Sequence, residues 1–371
     1  MRLELDEAQL ALQATLRDYF AGLVSTRERA EMLTDRHGLA YKAIVRRMGR
    51  DGWLGVGWPV EYGGRGFGQI EQQIFVNEAA RADVPLPAVT LQTVGPTLLE
   101  FGTAEQKEFF LPRIIAGEVH FAIGYTEPEA GTDLAALRTR AARDGDTYVV
   151  NGHKTFTTGA HAADYVWLAC RTGPDRHRGI TILIVGTDSP GFSYTPIITS
   201  DGAHHVNATY YTDVRVPVSM RVGAENEGWK LVTTQLNHER VMLGPAGRIA
   251  ALYDRFSLWA LGFEHPSIDA ALQECRMALR VNELLNWQVA CAPALDIADA
   301  SATKVFSSER LQRLGQLLSD VVGRFDPASE LAAWLDIQTK RNLVLTFGGG
   351  VNEIQRELIA TAGLGLPRVP R

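Results

Sequence analysis

A chain of 371 residues with 46% hydrophobic and 22% charged residues is too long for one simple core, and its ordinary globular composition argues against disorder. Its net charge of -6 gives no reason to expect nucleic acid or a membrane surface as partner. No charged-then-apolar leader opens the sequence and no apolar run is long enough to span a bilayer. The cysteines, Cys170, Cys275 and Cys291, are far apart and lack metal-ligand spacing, so they read as reduced thiols of a cytoplasmic protein.

From Asp6 to about His120 the pattern is helical. Leu12, Leu16, Tyr19, Phe20 and Leu23 fall on one face of an amphipathic helix. Ile44, Val45 and Met48 belong to a second helix, which Asp51-Gly52 ends. The stretch from Trp53 to Gly66 is too rich in glycine for helix and reads as an ordered packing corner. Helices resume over 70–81 and around 94–101, and Thr103 is the expected N-cap of another, limited by Pro112 before Gly117.

At His120 the period switches from 3.6 to 2. Tyr125 to Asp133 is a loop by its turn chemistry, with Pro128 fixing φ and Gly131 free to take φ > 0. Leu137, Thr139 and Ala141 then alternate with Arg138, Arg140 and Ala142, which predicts a half-exposed strand. Asp144-Gly145-Asp146 turns the chain into Tyr148-Val149-Val150, and Asn151-Gly152 predicts a two-residue hairpin turn before a strand ending Phe156-Thr157-Thr158. One meander thus brings a hydroxyl-rich loop to a hydroxyl-rich strand end, which suits a flat polar heterocycle covered by Phe156. The same residues also make ordinary β-structure.

Further strands are expected at 165–170, 180–185 and 209–211, giving a compact β-domain that ends near Val216-Pro217. His204-His205 lack further ligands at metal spacing, so no metal is expected. After Gly223 long helical stretches with short joints, over 229–243, 246–261, 268–290, 295–318 and 331–345, argue a bundle.

The loop Thr126-Glu127-Pro128-Glu129-Ala130-Gly131-Thr132-Asp133 and the strand Asn151-Gly152-His153-Lys154-Thr155-Phe156-Thr157-Thr158 resemble the flavin-contacting middle domain of acyl-CoA dehydrogenases. Phe156 stands where Trp is usual there, and Thr132 where Ser is usual. The resemblance covers essentially the whole chain and implies an α+β fold. Its parts are an N-terminal helical domain (1–119), a middle β-domain (120–222) and a C-terminal four-helix bundle (223–371). It also implies FAD, contacted by Tyr125, Thr126, Thr132, Phe156, Thr157 and Thr158, and an acyl-CoA substrate met by Thr132, Arg240 and Gly349.

Desaturating an acyl thioester needs a carboxylate for the α-proton, a hydride acceptor for the β-position and donors for the developing enolate oxygen. In many family members the carboxylate precedes an Ile-Gln-Arg sequence. Here that loop, Phe347 to Arg356, places Gly349 at the position, so the expected base is absent while its backbone N–H remains. Other members carry the base in a Glu-Arg pair on a bundle helix, and Glu239-Arg240 matches it. Glu239 falls on the apolar stripe of Val232, Leu236 and Leu243, where a lone Glu can equally be an ion-pair member or an end-of-stripe residue. With the resemblance, Glu239 is the expected α-proton base. Arg240, about 100° around the helix, serves the CoA or the fold.

Homotetrameric relatives hold a neighbour's flavin with an Arg-x-x-Phe-Gly element and a later Gln. Here Ala260, Phe263, Glu264 and Ala271 take those places, with Gln273 close by, so the Arg is lost. Taken together, these departures resemble the larger, base-carrying subunit of the α2β2 acyl-CoA dehydrogenases of actinobacterial steroid side-chain breakdown. That implies a sister acyl-CoA dehydrogenase subunit, an electron-transfer protein as acceptor, and a steroid side-chain CoA ester with a short propionyl-type chain as substrate. A homo-oligomeric fatty acyl-CoA dehydrogenase or oxidase, and a non-catalytic structural subunit, are the alternatives.

Overall fold

A computed structural model describes residues 4–292 and 296–368, and of residues 240–243 only the backbone. The N-terminal helices are α1 (Glu7–Leu23), α2 (Thr26–Thr34), α3 (Leu39–Arg50), α4 (Gln69–Arg81), α5 (Gly95–Phe101) and α6 (Ala104–Ile115), with a π-helical stretch, Val89–Val94, running into α5. Capping boxes start several of them: Asp6 with Gln9, Ser25 with Glu28 and Thr103 with Gln106 each satisfy two backbone N–H groups reciprocally. The helix after Thr103 runs through Pro112 and stops at Ile115, where Gly117 takes φ 70. Pro112 therefore does not limit it; the left-handed glycine does.

Eight strands follow: β1 (Phe121–Gly124), β2 (Arg140–Asp144), β3 (Thr147–Thr158), β4 (Tyr165–Arg171), β5 (Ile180–Gly186), β6 (Phe192–Ile198), β7 (His204–Pro217) and β8 (Arg221–Val222). They form one sheet in the order β6-β7-β3-β2-β4-β5-β8, with β1 parallel to β4. Asn151-Gly152 does not turn the chain. It is an irregularity inside β3, where the register against β7 shifts between Val150 and Gly152. The Asn151 side chain exchanges hydrogen bonds with Asp213 on β7, and a Cβ at Gly152 would meet Thr139 Oγ1 at 2.6 Å. Cross-strand pairing and close approach, rather than a turn, require this Asn-Gly.

The last helices are α7 (Gly228–Leu243), α8 (Gly247–Ala260), α9 (Pro266–Cys291), α10 (Ile297–Phe325), α11 (Glu330–Asn342) and α12 (Asn352–Leu358). Two compact units emerge. The first comprises Ser25–Gly66 and Pro87–Glu239, and its sheet core is built on Tyr148, Val150, Leu168, Leu183, Val185 and Val214. The second joins α1 and α4 to the helices from α8 onward. Its core gathers Leu252, Phe256, Leu311, Leu314, Leu318 and Leu335. Here α1 and α4 are tied by the Arg17–Glu78 pair and the Phe20–Phe75 ring contact, and α4 reaches α8 through Arg81 and Asp254. No described helix is long and apolar enough to cross a membrane.

Candidate active site

The first unit holds the hydroxyl-rich loop against β3 by a buried ion pair. Lys154, fully buried, donates to Tyr125 O at 2.9 Å and to Glu127 Oε1 at 2.7 Å. Glu127 also accepts from the backbone N–H groups of Arg138 at 2.6 Å and Thr139 at 2.8 Å. Burial works to raise the Glu127 pKa, yet Lys154 and these donors outweigh it and hold the carboxyl below its ordinary value. Breaking one partner of such a pair leaves an uncompensated buried charge, so the loop is fixed from beneath. Thr155 N donates to Thr126 O at 2.8 Å and completes the junction of loop and strand.

On this base the side chains divide. Thr126 and Thr158 are half-buried and Thr132 is exposed. Thr157 turns the other way: its hydroxyl is buried in the sheet, 3.3 Å from that of Thr209. Only its backbone is left to serve a ligand. Tyr125 likewise buries its ring, and its hydroxyl accepts from Trp167 Nε1 at 3.0 Å. Phe156 is the outlier. It sits at φ 58 in a second β3 register shift, with its ring 63% exposed. A bulky aromatic in the left-handed region is strained, and an exposed ring gains nothing from burial. An aromatic plate held out beside two hydroxyls fits the face and rim of a flavin ring, the group that the sequence resemblance implies.

Glu239 lies near the end of α7, half-buried. Burial raises the pKa of the Tyr125 hydroxyl, the hydrogen bond with Trp167 partly offsets this, and the negative charge of Glu239 adds a smaller upward push. His238 beside it is pushed down by burial, partly offset by Glu100. The side chains of Arg240 and Leu243 lie outside the described residues. In the second unit Gly349 is buried at φ 65, and its carbonyl accepts from Gln355 Nε2 at 3.0 Å. Phe263 there stacks within its own chain, its ring 4.4 Å from that of Trp259, while Glu264 is exposed.

Sequence reasoning missed a histidine group beside the end of β3. His37 Nε2 and His205 Nδ1 are 3.0 Å apart, the His161 and His204 rings stack at 3.8 Å, and Asn207 bridges His161 to the Thr157 carbonyl. His204-His205 was the only local hint, because His37 and His161 arrive from distant segments. Among the described residues no group of three or more His, Cys, Asp or Glu could hold a metal ion.

Comparison with known proteins matches the acyl-CoA dehydrogenase N-terminal domain over residues 6–118, the middle domain over 122–214 and the C-terminal domain over 226–364. The acyl-CoA dehydrogenase FadE29 of Mycobacterium tuberculosis is 64% identical, with 100% of both chains covered. Among solved structures, the steroid ACAD Tcur3481-Tcur3483 superposes with a TM-score of 0.93 at 46% identity, again over 100% of both chains. The ChsE4-ChsE5 complex from Mycobacterium tuberculosis gives 0.92 at 46% identity over 100% of both.

Proposed function

The chain belongs to the acyl-CoA dehydrogenase family, and from that premise we propose that it is the base-carrying subunit of a heteromeric enzyme that desaturates a steroid side-chain CoA ester. The observation that carries the catalytic part is Glu239, a half-buried carboxylate on α7 whose charge acts on the buried Tyr125 hydroxyl. Support for the heteromer and substrate class comes from likeness to a steroid ACAD and to the ChsE4-ChsE5 complex, and from the missing Arg half-site around Ala260.

When bound, FAD supplies the hydride acceptor. The chain does the rest. The Lys154–Glu127 pair fixes the loop so that Thr126, Thr158 and Phe156 present a preorganised rim and face. Glu239, a half-buried carboxylate on α7, takes the proton from the carbon α to the thioester carbonyl. On the resemblance of its position, we read the backbone N–H of Gly349 as a donor for the thioester oxygen.

The test is kcat/KM of the co-expressed complex, with an artificial electron acceptor, for a steroid propionyl-type CoA ester against octanoyl-CoA. The steroid ester is expected to win by at least tenfold. A clear win for the straight chain rejects the substrate class, and peroxide formation from oxygen at the rate of turnover rejects the dehydrogenase reading.

A further inference from the structure

The turn that follows α11 carries Gly348, Gly349 and Gly350 in a row. A run of glycines holds no conformation of its own, because each is free in φ and loses more entropy on ordering than any other residue. Gly349 and Gly350 nevertheless take definite left-handed conformations, φ 65 and φ 90. The turn lies at the surface, with Phe347 exposed and Gly348 and Gly350 half-exposed. Its order is imposed from beneath, by side chains of α10 and α12.

On α10, Ser301, Lys304 and Ser308 stand at spacings of three and four, on one face of the helix, and all three are fully buried. The Lys304 ammonium donates to the Gly350 carbonyl at 2.9 Å and to Asn352 Oδ1 at 2.6 Å. Gln355 on α12, fully buried as well, donates from Nε2 to the carbonyls of Gly349 at 3.0 Å and Gly350 at 3.2 Å. Its Oε1 accepts from the Ser301 hydroxyl at 2.9 Å, which fixes which way the amide faces. Asn352 is held in turn, its amide nitrogen donating to Ser308 Oγ at 3.1 Å and to Glu309 Oε1 at 3.0 Å. A Cβ at Gly350 would stand 2.7 Å from Gln355 Nε2, so a side chain there would push against this clamp.

Two successive carbonyls are therefore anchored, and that of Gly350 has a donor for each of its lone pairs. Taking an ammonium out of water is costly, so the bonds that Lys304 makes to the turn must offset its burial. Bonds from a charged donor are also roughly twice as strong as neutral ones, which makes Lys304 the strong half of the clamp. A peptide is planar and trans, and the N–H of Gly349 is joined to its own carbonyl through two soft dihedrals only. Fixing the carbonyls of Gly349 and Gly350 thus fixes the direction of that N–H. A residue with a Cβ at 349 would restrict those dihedrals by itself, whereas glycine leaves the task to the clamp.

We propose that Lys304 is a positioning residue for the desaturation: together with Gln355 it locks the glycine turn and so aims the Gly349 N–H at the thioester oxygen. This rests on the reading of that N–H as the oxygen's donor, and it adds the side chains that aim it.

The experiment uses the FAD-loaded complex and two CoA ligands that are not oxidised further: the α,β-unsaturated thioester that the reaction forms, and its thioether, in which CH2 replaces the C=O. Dissociation constants are read from the flavin spectrum. Wild type should bind the thioester about tenfold or more tightly than the thioether. Lys304→Met keeps the length of the side chain and removes the donor. It should shrink that ratio by about fivefold or more and lower kcat by about 10–100-fold, with flavin content unchanged. Gln355→Met should move the ratio the same way, and it carries the test if Lys304→Met does not fold. A merely structural role weakens both ligands alike, so a ratio that stays at the wild-type value in the folded variants overturns the proposal. Equal binding of thioester and thioether by wild type removes the Gly349 donor itself, and the proposal with it, so the two failures are distinguishable.

Discussion

At the scale of single residues, the chemistry turns on a carboxylate that must be basic enough to take a weakly acidic proton. Glu239 is half-buried on α7, and its charge is felt by the buried Tyr125 hydroxyl. Glu239→Gln keeps the shape and the hydrogen-bonding edge but removes the base. Turnover should fall by roughly two to four powers of ten, the usual contribution of a general base. Flavin content, read from absorbance, should stay at the wild-type level. Near wild-type turnover with normal flavin would remove Glu239 from the mechanism. The residue was legible in the sequence only because the loop position at Gly349 lacks a side chain and a Glu-Arg pair stands on a helix.

A second residue-scale effect belongs to His120. It is 6% exposed, both ring nitrogens lack partners, and burial lowers its pKa to about 4 despite the nearby Asp164 carboxylate. Tyr41 packs on its ring, and Lys42 and Arg46 also disfavour its charge. The unfolded chain takes up this proton first as pH falls. The stabilisation from neutral His120 is therefore complete above about pH 6.5 and is lost progressively down to about pH 4, by up to roughly 3 kcal/mol. His120→Phe should flatten the drop in melting temperature between pH 7 and pH 4.5 relative to wild type. An equally steep drop in the variant would assign the acid sensitivity to other groups.

At the scale of elements, β3 carries most of the proposed ring site, and it does so by being irregular. Two register shifts against β7 let one strand pair along its length and still hold Phe156 outward at φ 58. That conformation costs about 1–3 kcal/mol for a side-chain-bearing residue. Phe156→Gly should relieve the strain and leave thermal stability unchanged or higher, while flavin retention through gel filtration drops several-fold. A variant that keeps its flavin would show that the ring face has another cover. The alternation of Leu137, Thr139 and Ala141 predicted burial correctly even though the strand begins only at Arg140. By contrast α2 and β6 carry weak periodic signals: α2 buries only Met32, and β6 is mostly exposed and contains Pro196. The Ser25–Glu28 capping box was the one available sign of α2.

At the scale of the whole molecule, the incomplete half-site bears on assembly. The position expected to hold an Arg is Ala260, and Phe263 is engaged with Trp259 and Phe325 of its own chain. Co-expressed with a sister subunit, the chain should purify as a heteromer with FAD at only some of the equivalent positions. Alone, it should be poor in FAD or poorly soluble. A stable, fully active homotetramer with one FAD per chain would overturn this reading.

The sequence by itself determined the succession of helical, β and helical segments, because periodicity and capping are local and survive without tertiary context. It also marked out the hydroxyl-bearing loop proposed as a ring site and the candidate base, since those readings depend on which residue types stand in order along the chain. Tertiary structure decided what each of those side chains does. The Asn151-Gly152 pair became a bulge because β7 supplies Asp213 to bond it and Thr139 leaves no room for a Cβ. Thr157 lost its hydroxyl to Thr209, Lys154 was committed to Glu127, and four histidines from three separate segments met beside Thr157–Gly159. Each of these outcomes rests on contacts between residues far apart in the chain, and pairings of that kind leave no periodic trace in a sequence read from one end to the other.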